Sequence, residues 1–80
     1  MRLPRNLSGE SLIRALVRLG YAVSRQTGSH VRLTHVGPPE HHVTIPNHDA
    51  LRVGTLAAIL DAVATAQDLS RDQLLRKLFA

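Results

Sequence analysis

The spacing of apolar residues changes twice along the chain, and this change constrains the fold more than any other feature. Before Gly20 apolar residues recur at helical intervals, whereas between residues 21 and 45 they alternate with polar ones. After Gly54 the helical interval returns. The pattern predicts a helix, three strands and a second helix, in that order.

Capping residues mark where the predicted helices begin. The first helix covers residues 8–19, with Ser8 as an N-cap whose hydroxyl satisfies a backbone N–H group. The second begins near Gly54. A short third helix starts at Ser70, because Gln73 three residues later completes a capping box.

Turn residues separate the three predicted strands. The strands are expected at residues 21–26, 30–35 and 41–45. Gly28 suits the first turn because glycine adopts positive φ at little cost. Gly37, Pro38 and Pro39 must end the second strand, and Pro46 ends the third, since proline cannot donate to a sheet ladder.

Alternation within the strands divides the sheet into two faces. The apolar face carries Val31, Leu33, Val43 and Ile45, and the polar face carries His30, Arg32, Thr34, His42 and Thr44. The helices need an apolar surface to cover, so the polar face is expected to stay in water. The predicted fold class is α+β, with helices on one face of a three-stranded antiparallel sheet and a short C-terminal helix.

Composition narrows the function classes. The 80 residues contain no cysteine, which excludes thiolate chemistry and suits the cytoplasm. Tyr21 and Phe79 are the only aromatic residues, too few for a base-stacking platform. No apolar run suits a signal peptide or a membrane span, so a cytoplasmic protein without membrane contact is expected. The net charge of +4, with nine arginines, favours nucleic acid or an acidic protein as partner, although an ordinary solvated surface would look the same.

Three motifs, in the right order, resemble the HicA toxin family. Residues 20–30, Gly-Tyr-Ala-Val-Ser-Arg-Gln-Thr-Gly-Ser-His, resemble its signature of an aromatic residue after glycine followed by Arg-Gln-x-Gly-Ser-His. Residues 45–48 resemble its Val-Pro-x-His step, and residues 54–60 resemble its Gly-Thr-Leu-x-x-Ile-Leu helix start. The likeness extends over about residues 3–79.

The resemblance implies a fold, an activity and a partner. The fold would be a double-stranded-RNA-binding-like α-β-β-β-α sandwich, with residues 1–80 forming a single HicA-like domain. The activity would be ribosome-independent cleavage of mRNA, and the partner a HicB-type antitoxin that covers the active face. The family's catalytic histidine corresponds to His30.

The chemistry of imidazole fits that role. RNA carries its own nucleophile, the ribose 2′-hydroxyl, and neutral imidazole can remove its proton near neutral pH. Arg25 and Arg32 are candidates to stabilise the charge that develops on the phosphoryl oxygens. The remaining motif residues, Gln26, Gly28 and Ser29, are assigned with them to RNA binding, partly through backbone N–H groups of the turn. No metal and no cofactor are required.

The other histidines receive separate interpretations. His42 is a candidate accessory residue, either an acid for the leaving oxygen or a surface histidine. The resemblance suggests that His48 ties down its loop by hydrogen bonding. Four histidines lie in a short stretch: His35, His41, His42 and His48. A zinc site is nevertheless disfavoured, because His41 and His42 point to opposite faces. On the first helix, Arg14 and Arg18 either line an RNA groove or are simply solvated.

Other functions stay open at this point. The main alternative is a non-catalytic module that binds double-stranded RNA by shape. The others are a metal-dependent hydrolase that uses the histidines and an adaptor whose basic surface binds only an acidic protein. Substitution of His30, chelation and the salt dependence of RNA binding would separate them.

Overall fold

The computed structural model describes residues 2–38 and 40–79 of the chain. Its elements are α1 (Gly9–Arg18), β1 (Tyr21–Thr27), β2 (His30–His35), β3 (His41–Pro46), α2 (Val53–Ala66) and α3 (Arg71–Phe79). This order confirms the α+β class and the sequence of elements that the spacing predicts. Pro39, one of the expected strand breakers, lies outside the described residues.

The N-caps predicted at Ser8 and Ser70 are present. Ser8 Oγ accepts a hydrogen bond of 3.0 Å from the Ser11 N–H group, and Gly20 follows α1 with a φ of 111°. Before α3, the Gln73 N–H donates to Ser70 Oγ at 3.1 Å and the Ser70 N–H donates to Gln73 Oε1 at 2.8 Å. These bonds satisfy backbone groups that a helix leaves unpaired at its N-terminus.

The strands form one antiparallel sheet in the order β1-β2-β3. In the register of β2 with β3, Val31 lies opposite Ile45 and Leu33 lies opposite Val43. All four side chains are buried, as the alternation predicts. They form the inner face of the sheet, against which α1 and α2 pack.

The core lies between this inner face and helices α1 and α2, and it continues between these two helices and α3. The buried helical residues include Leu12, Leu16, Leu60, Leu74 and Leu75, all with no exposed surface. Removing such side chains from water is the main favourable contribution to folding. In the part of the chain that the structure describes, no helix has the length and apolar character needed to cross a membrane.

Candidate functional site

The side of the sheet that the helices leave uncovered, here called the outer face, carries polar side chains. Its members on β2 and β3 are the five predicted ones: His30, Arg32, Thr34, His42 and Thr44. Thr34 is half-buried and the others are exposed. Residues opposite one another on neighbouring strands share a face, so Arg32 forms a row with Thr44 and Thr34 forms a row with His42.

A β-bulge at Ser24 decides which β1 side chains join the outer face. Val23 lies opposite Leu33, but Arg25 lies opposite Arg32, so Ser24 is an extra residue in β1. Strict alternation would turn Arg25 to the same side as Val23. The bulge instead places Arg25 beside Arg32 on the outer face.

His30 begins β2, at the end of the outer face next to the β1–β2 turn. It lies opposite Thr27 on β1 and Pro46 on β3. Gly28 and Ser29 form the turn, and Gly28 has the positive φ, 58°, that a type II′ hairpin turn needs at its first central position. His30 is exposed, and its ring has no hydrogen bond or ion pair within residues 2–38 and 40–79. The imidazole is therefore available to a ligand.

Two arginines form the row next to His30. Arg32 is two residues along β2 from His30, a strand length of about 7 Å. Arg25 lies directly opposite Arg32, and both are exposed. Neither guanidinium has an ion pair or hydrogen bond among the residues that the structure describes. Two uncompensated positive charges held this close favour an anionic ligand.

The other residues of the Arg-Gln-x-Gly-Ser-His motif, Gln26 and Ser29, lie at different places in the hairpin. Ser29 lies beside His30, and its carbonyl accepts a hydrogen bond of 2.6 Å from the Asn47 N–H group, which ties the turn to the chain after β3. Gln26 lies opposite Val31, on the inner side of the sheet. Its amide Nε2 is 3.5 Å from the Gly28 carbonyl oxygen, so the side chain folds back on its own turn.

A chain of hydrogen bonds crosses the far end of the outer face. Glu40 Oε1 is 2.9 Å from His42 Nε2, and His42 Nδ1 is 2.8 Å from Thr34 Oγ1. Thr34 donates to Ser24 Oγ at 2.8 Å, and Ser24 donates to the Arg32 carbonyl at 3.2 Å. Since each hydroxyl has one proton, His42 must then donate from Nδ1 to Thr34. A protonated His42 completes the chain by donating from Nε2 to Glu40.

This chain of bonds is far from His30. Thr34 is four residues along β2 from His30, which corresponds to about 13 Å of strand, and His42 lies opposite Thr34. Both ring nitrogens of His42 already have partners. The two histidines share a face, but they do not converge on one point.

Two further histidines lie on the inner face, away from the outer one. The Tyr21 hydroxyl is 2.7 Å from His41 Nδ1, and the ring of His35 is centred 5.2 Å from that of Tyr21. Burial lowers the pKa of His41, and the charges of His42 and His35 lower it further. Burial also raises the pKa of Tyr21, although a hydrogen bond with Gln67 opposes this. A lowered pKa favours the neutral form of His41, and the tautomer of that ring decides whether its Nδ1 accepts from the Tyr21 hydroxyl or donates to it.

A hydrogen bond of the His48 backbone connects the loop after β3 to α1. The His48 carbonyl accepts a hydrogen bond of 2.9 Å from the Gly9 N–H group. The His48 ring is exposed and has no hydrogen bond among the described residues. Among these residues, no group of three or more histidine, aspartate and glutamate side chains is placed to hold a metal ion.

The arginines of α1 lie on the helical side of the molecule. Arg14 and Arg18 line a cavity of about 230 Å³ that Phe79 also borders. Arg14 pairs with Glu10 at 2.9 Å, and Arg18 donates to the Leu78 carbonyl at 3.2 Å. Both guanidinium groups therefore already have partners, unlike those of the outer face.

Sequence reasoning missed several residues around the outer face. Ser24 and Glu40 complete the hydrogen-bonded chain of His42, and Arg52 is an exposed cation near the end of β3. Glu40 is two residues from His42, a spacing that places both on one side of an extended chain. No local sequence signal marks Ser24 as a bulge residue.

The described fold is a helix-backed sheet whose open face presents arginines and an available histidine, a surface suited to an anionic ligand. Comparison with known protein families matches residues 9–64 to the HicA toxin of bacterial toxin–antitoxin systems. The chain belongs to the HicA toxin family. This family is known for toxins that cleave mRNA, and membership implies an antitoxin partner. Comparisons with curated proteins and with solved structures give no significant match.

Proposed function

We propose that this HicA toxin is a ribosome-independent endoribonuclease that cleaves mRNA, with His30 as the general base. The observation that carries the proposal is the exposed His30 ring on the same face as Arg25 and Arg32, all three without a side-chain partner among residues 2–38 and 40–79. The membership in a family of mRNA-cleaving toxins supports the same reaction class.

In the proposed reaction His30 takes the proton of the ribose 2′-hydroxyl. The 2′-oxygen then attacks the adjacent phosphorus, and the bond from phosphorus to the 5′-oxygen breaks. The products are a 2′,3′-cyclic phosphate and a 5′-hydroxyl, whose proton comes from the protonated imidazole or from water. DNA lacks the nucleophile, so the route selects RNA.

Arg25 and Arg32 are assigned to the phosphate. In the transition state negative charge spreads over the phosphoryl oxygens, and guanidinium groups bind such oxygens with paired hydrogen bonds. Their row is about 7 Å along the strand from His30, within the reach of an arginine side chain. Gly28 and Ser29 are assigned to the same phosphate through their backbone N–H groups.

His42 is given a positioning role instead of an acid role. Its separation from His30 and the partners on both of its ring nitrogens argue against proton donation to the leaving oxygen. The same bonds orient Thr34 and Ser24, which present hydroxyl groups beside the arginine row. The Gln26 side chain folds back toward the Gly28 carbonyl. We therefore assign Gln26 to stabilising the turn rather than to contacting RNA.

The antitoxin is proposed to be a HicB-type protein that covers the outer face. An acidic surface would neutralise Arg25 and Arg32 and block His30 at once, which explains inhibition by occlusion. Protection of His30 from a histidine-modifying reagent in the complex would support this placement.

The test is cleavage of a transcript by the purified wild type and by His30→Ala. Loss of a general base should slow cleavage by about 10²–10⁴-fold while RNA binding persists. Thr27→Ala is the matched control, since Thr27 lies opposite His30 on the outer face and carries no base. Equal cleavage by wild type and His30→Ala would overturn the assignment. RNA binding without any cleavage by the wild type would favour the non-catalytic module.

A further inference from the structure

A cavity of about 340 Å³ opens beside the outer face at the end of β3. Its lining residues are Pro46, His48, Ala50, Leu51, Arg52 and Thr55. Pro46 is also the residue directly opposite His30 in the sheet, where paired Cα atoms are only about 5 Å apart. The cavity and the His30 end of the outer face therefore share a wall.

The wall of this cavity is fixed by backbone hydrogen bonds to other parts of the fold. Asn47 donates to the Ser29 carbonyl at 2.6 Å, beside His30. On the other side, Leu51 donates to the Leu7 carbonyl at 2.8 Å, and the His48 carbonyl accepts the bond from the start of α1. A cavity held from two sides is formed before a ligand arrives, which lowers the entropic cost of binding.

The polar lining consists of groups that can donate hydrogen bonds to an anion. Arg52 and His48 are exposed, and neither side chain has an ion pair or hydrogen bond among residues 2–38 and 40–79. Thr55, whose side chain carries a hydroxyl, also lines the cavity. Asp49 is next to His48 in the chain but does not line the cavity. A planar guanidinium, an imidazole and a hydroxyl together match the several acceptor oxygens of a phosphate.

The cavity between α1 and α3 provides an internal comparison. It is also lined by two arginines, Arg14 and Arg18. Arg14 is already paired with Glu10, and Arg18 already donates to a backbone carbonyl. Among the described residues Arg52 at the β3 cavity has no such partner, so its charge is available to a ligand.

We propose that the cavity lined by Arg52, His48 and Thr55 is a second phosphate subsite, which holds a phosphate of the bound RNA next to the one at His30. This inference rests on the proposed function, because it treats His30 as the position of the scissile phosphate. The subsite would hold the RNA chain on the β3 side of His30, while Arg25 and Arg32 hold it along the sheet.

The test measures RNA binding in a protein that cannot cleave. In a His30→Ala background, the affinity for a fluorescently labelled single-stranded RNA is measured by anisotropy over a range of salt concentrations. Arg52→Gln should weaken binding by roughly ten-fold, the typical effect of losing a charge-assisted hydrogen bond. It should also reduce the slope of log affinity against log salt by about one. Thr55→Val should weaken binding while leaving that slope unchanged.

Arg18→Gln is the matched control, because it removes the same charge from the other cavity. We expect its affinity to stay close to that of the His30→Ala parent. Equal losses in Arg52→Gln and Arg18→Gln would overturn the subsite, since net charge alone would explain them. If the His30→Ala parent itself fails to bind RNA, the proposed function and the subsite both fail.

Discussion

Replacing Arg25 by glutamine should stabilise the fold while it weakens the site. Arg25 and Arg32 lie directly opposite each other, and neither has a described partner that offsets the repulsion. Like charges in this position destabilise a sheet by about 0.2–1 kcal/mol. For a chain of this size, removing the repulsion between the two arginines should raise Tm by about 1–8 °C.

The assay is thermal unfolding followed by circular dichroism at low and high salt. The gain of Arg25→Gln should shrink in 1 M salt, where the Debye length falls to about 3 Å. Arg14→Gln is the control of opposite sign, because it breaks the ion pair with Glu10, worth about 0.3–0.5 kcal/mol. A stability loss in Arg25→Gln, or a gain that salt leaves unchanged, would refute the repulsion between the two arginines.

Three further predictions concern pH, packing and metal ions. Because burial lowers the pKa of His41, the unfolded chain takes up a proton below about pH 6.5 before the folded one does. Stability in urea should therefore fall between pH 7.5 and 5.5, and less so in His41→Gln. Gly9→Ala should destabilise by about 1–3 kcal/mol, since its Cβ would overlap the Pro46 carbonyl, whereas Gly54→Ala should be tolerated because its Cβ meets nothing. RNA cleavage should continue in EDTA, and its loss there would favour a metal-dependent route.

The order of elements and the two faces of the sheet could be predicted from the sequence because they depend on local patterns. The alternation in β2 places Leu33 and Arg32 on opposite faces of the sheet. The helical spacing of apolar residues around Leu12 and Leu60 predicts the two helices that cover the apolar face. The helix starts at Ser8 and Ser70 follow from short-range capping chemistry.

The geometry of the outer face could not be predicted, because it depends on pairing between strands. The bulge at Ser24 moves Arg25 to the outer face, and no residue type announces it. The strand register sets His42 far from His30, although both alternate to the same side. His48 shows the same limit, since the partner of its carbonyl, the Gly9 N–H group, lies far away in the sequence on α1.

The most direct test of the proposed reaction is the chemistry of the RNA ends. If the His30 imidazole activates the 2′-hydroxyl, cleavage of a transcript by the purified toxin should leave 2′,3′-cyclic phosphates and 5′-hydroxyls, detectable by mass spectrometry. Fragments with 3′-hydroxyl and 5′-phosphate ends would show that water attacked the phosphorus, and would contradict the account.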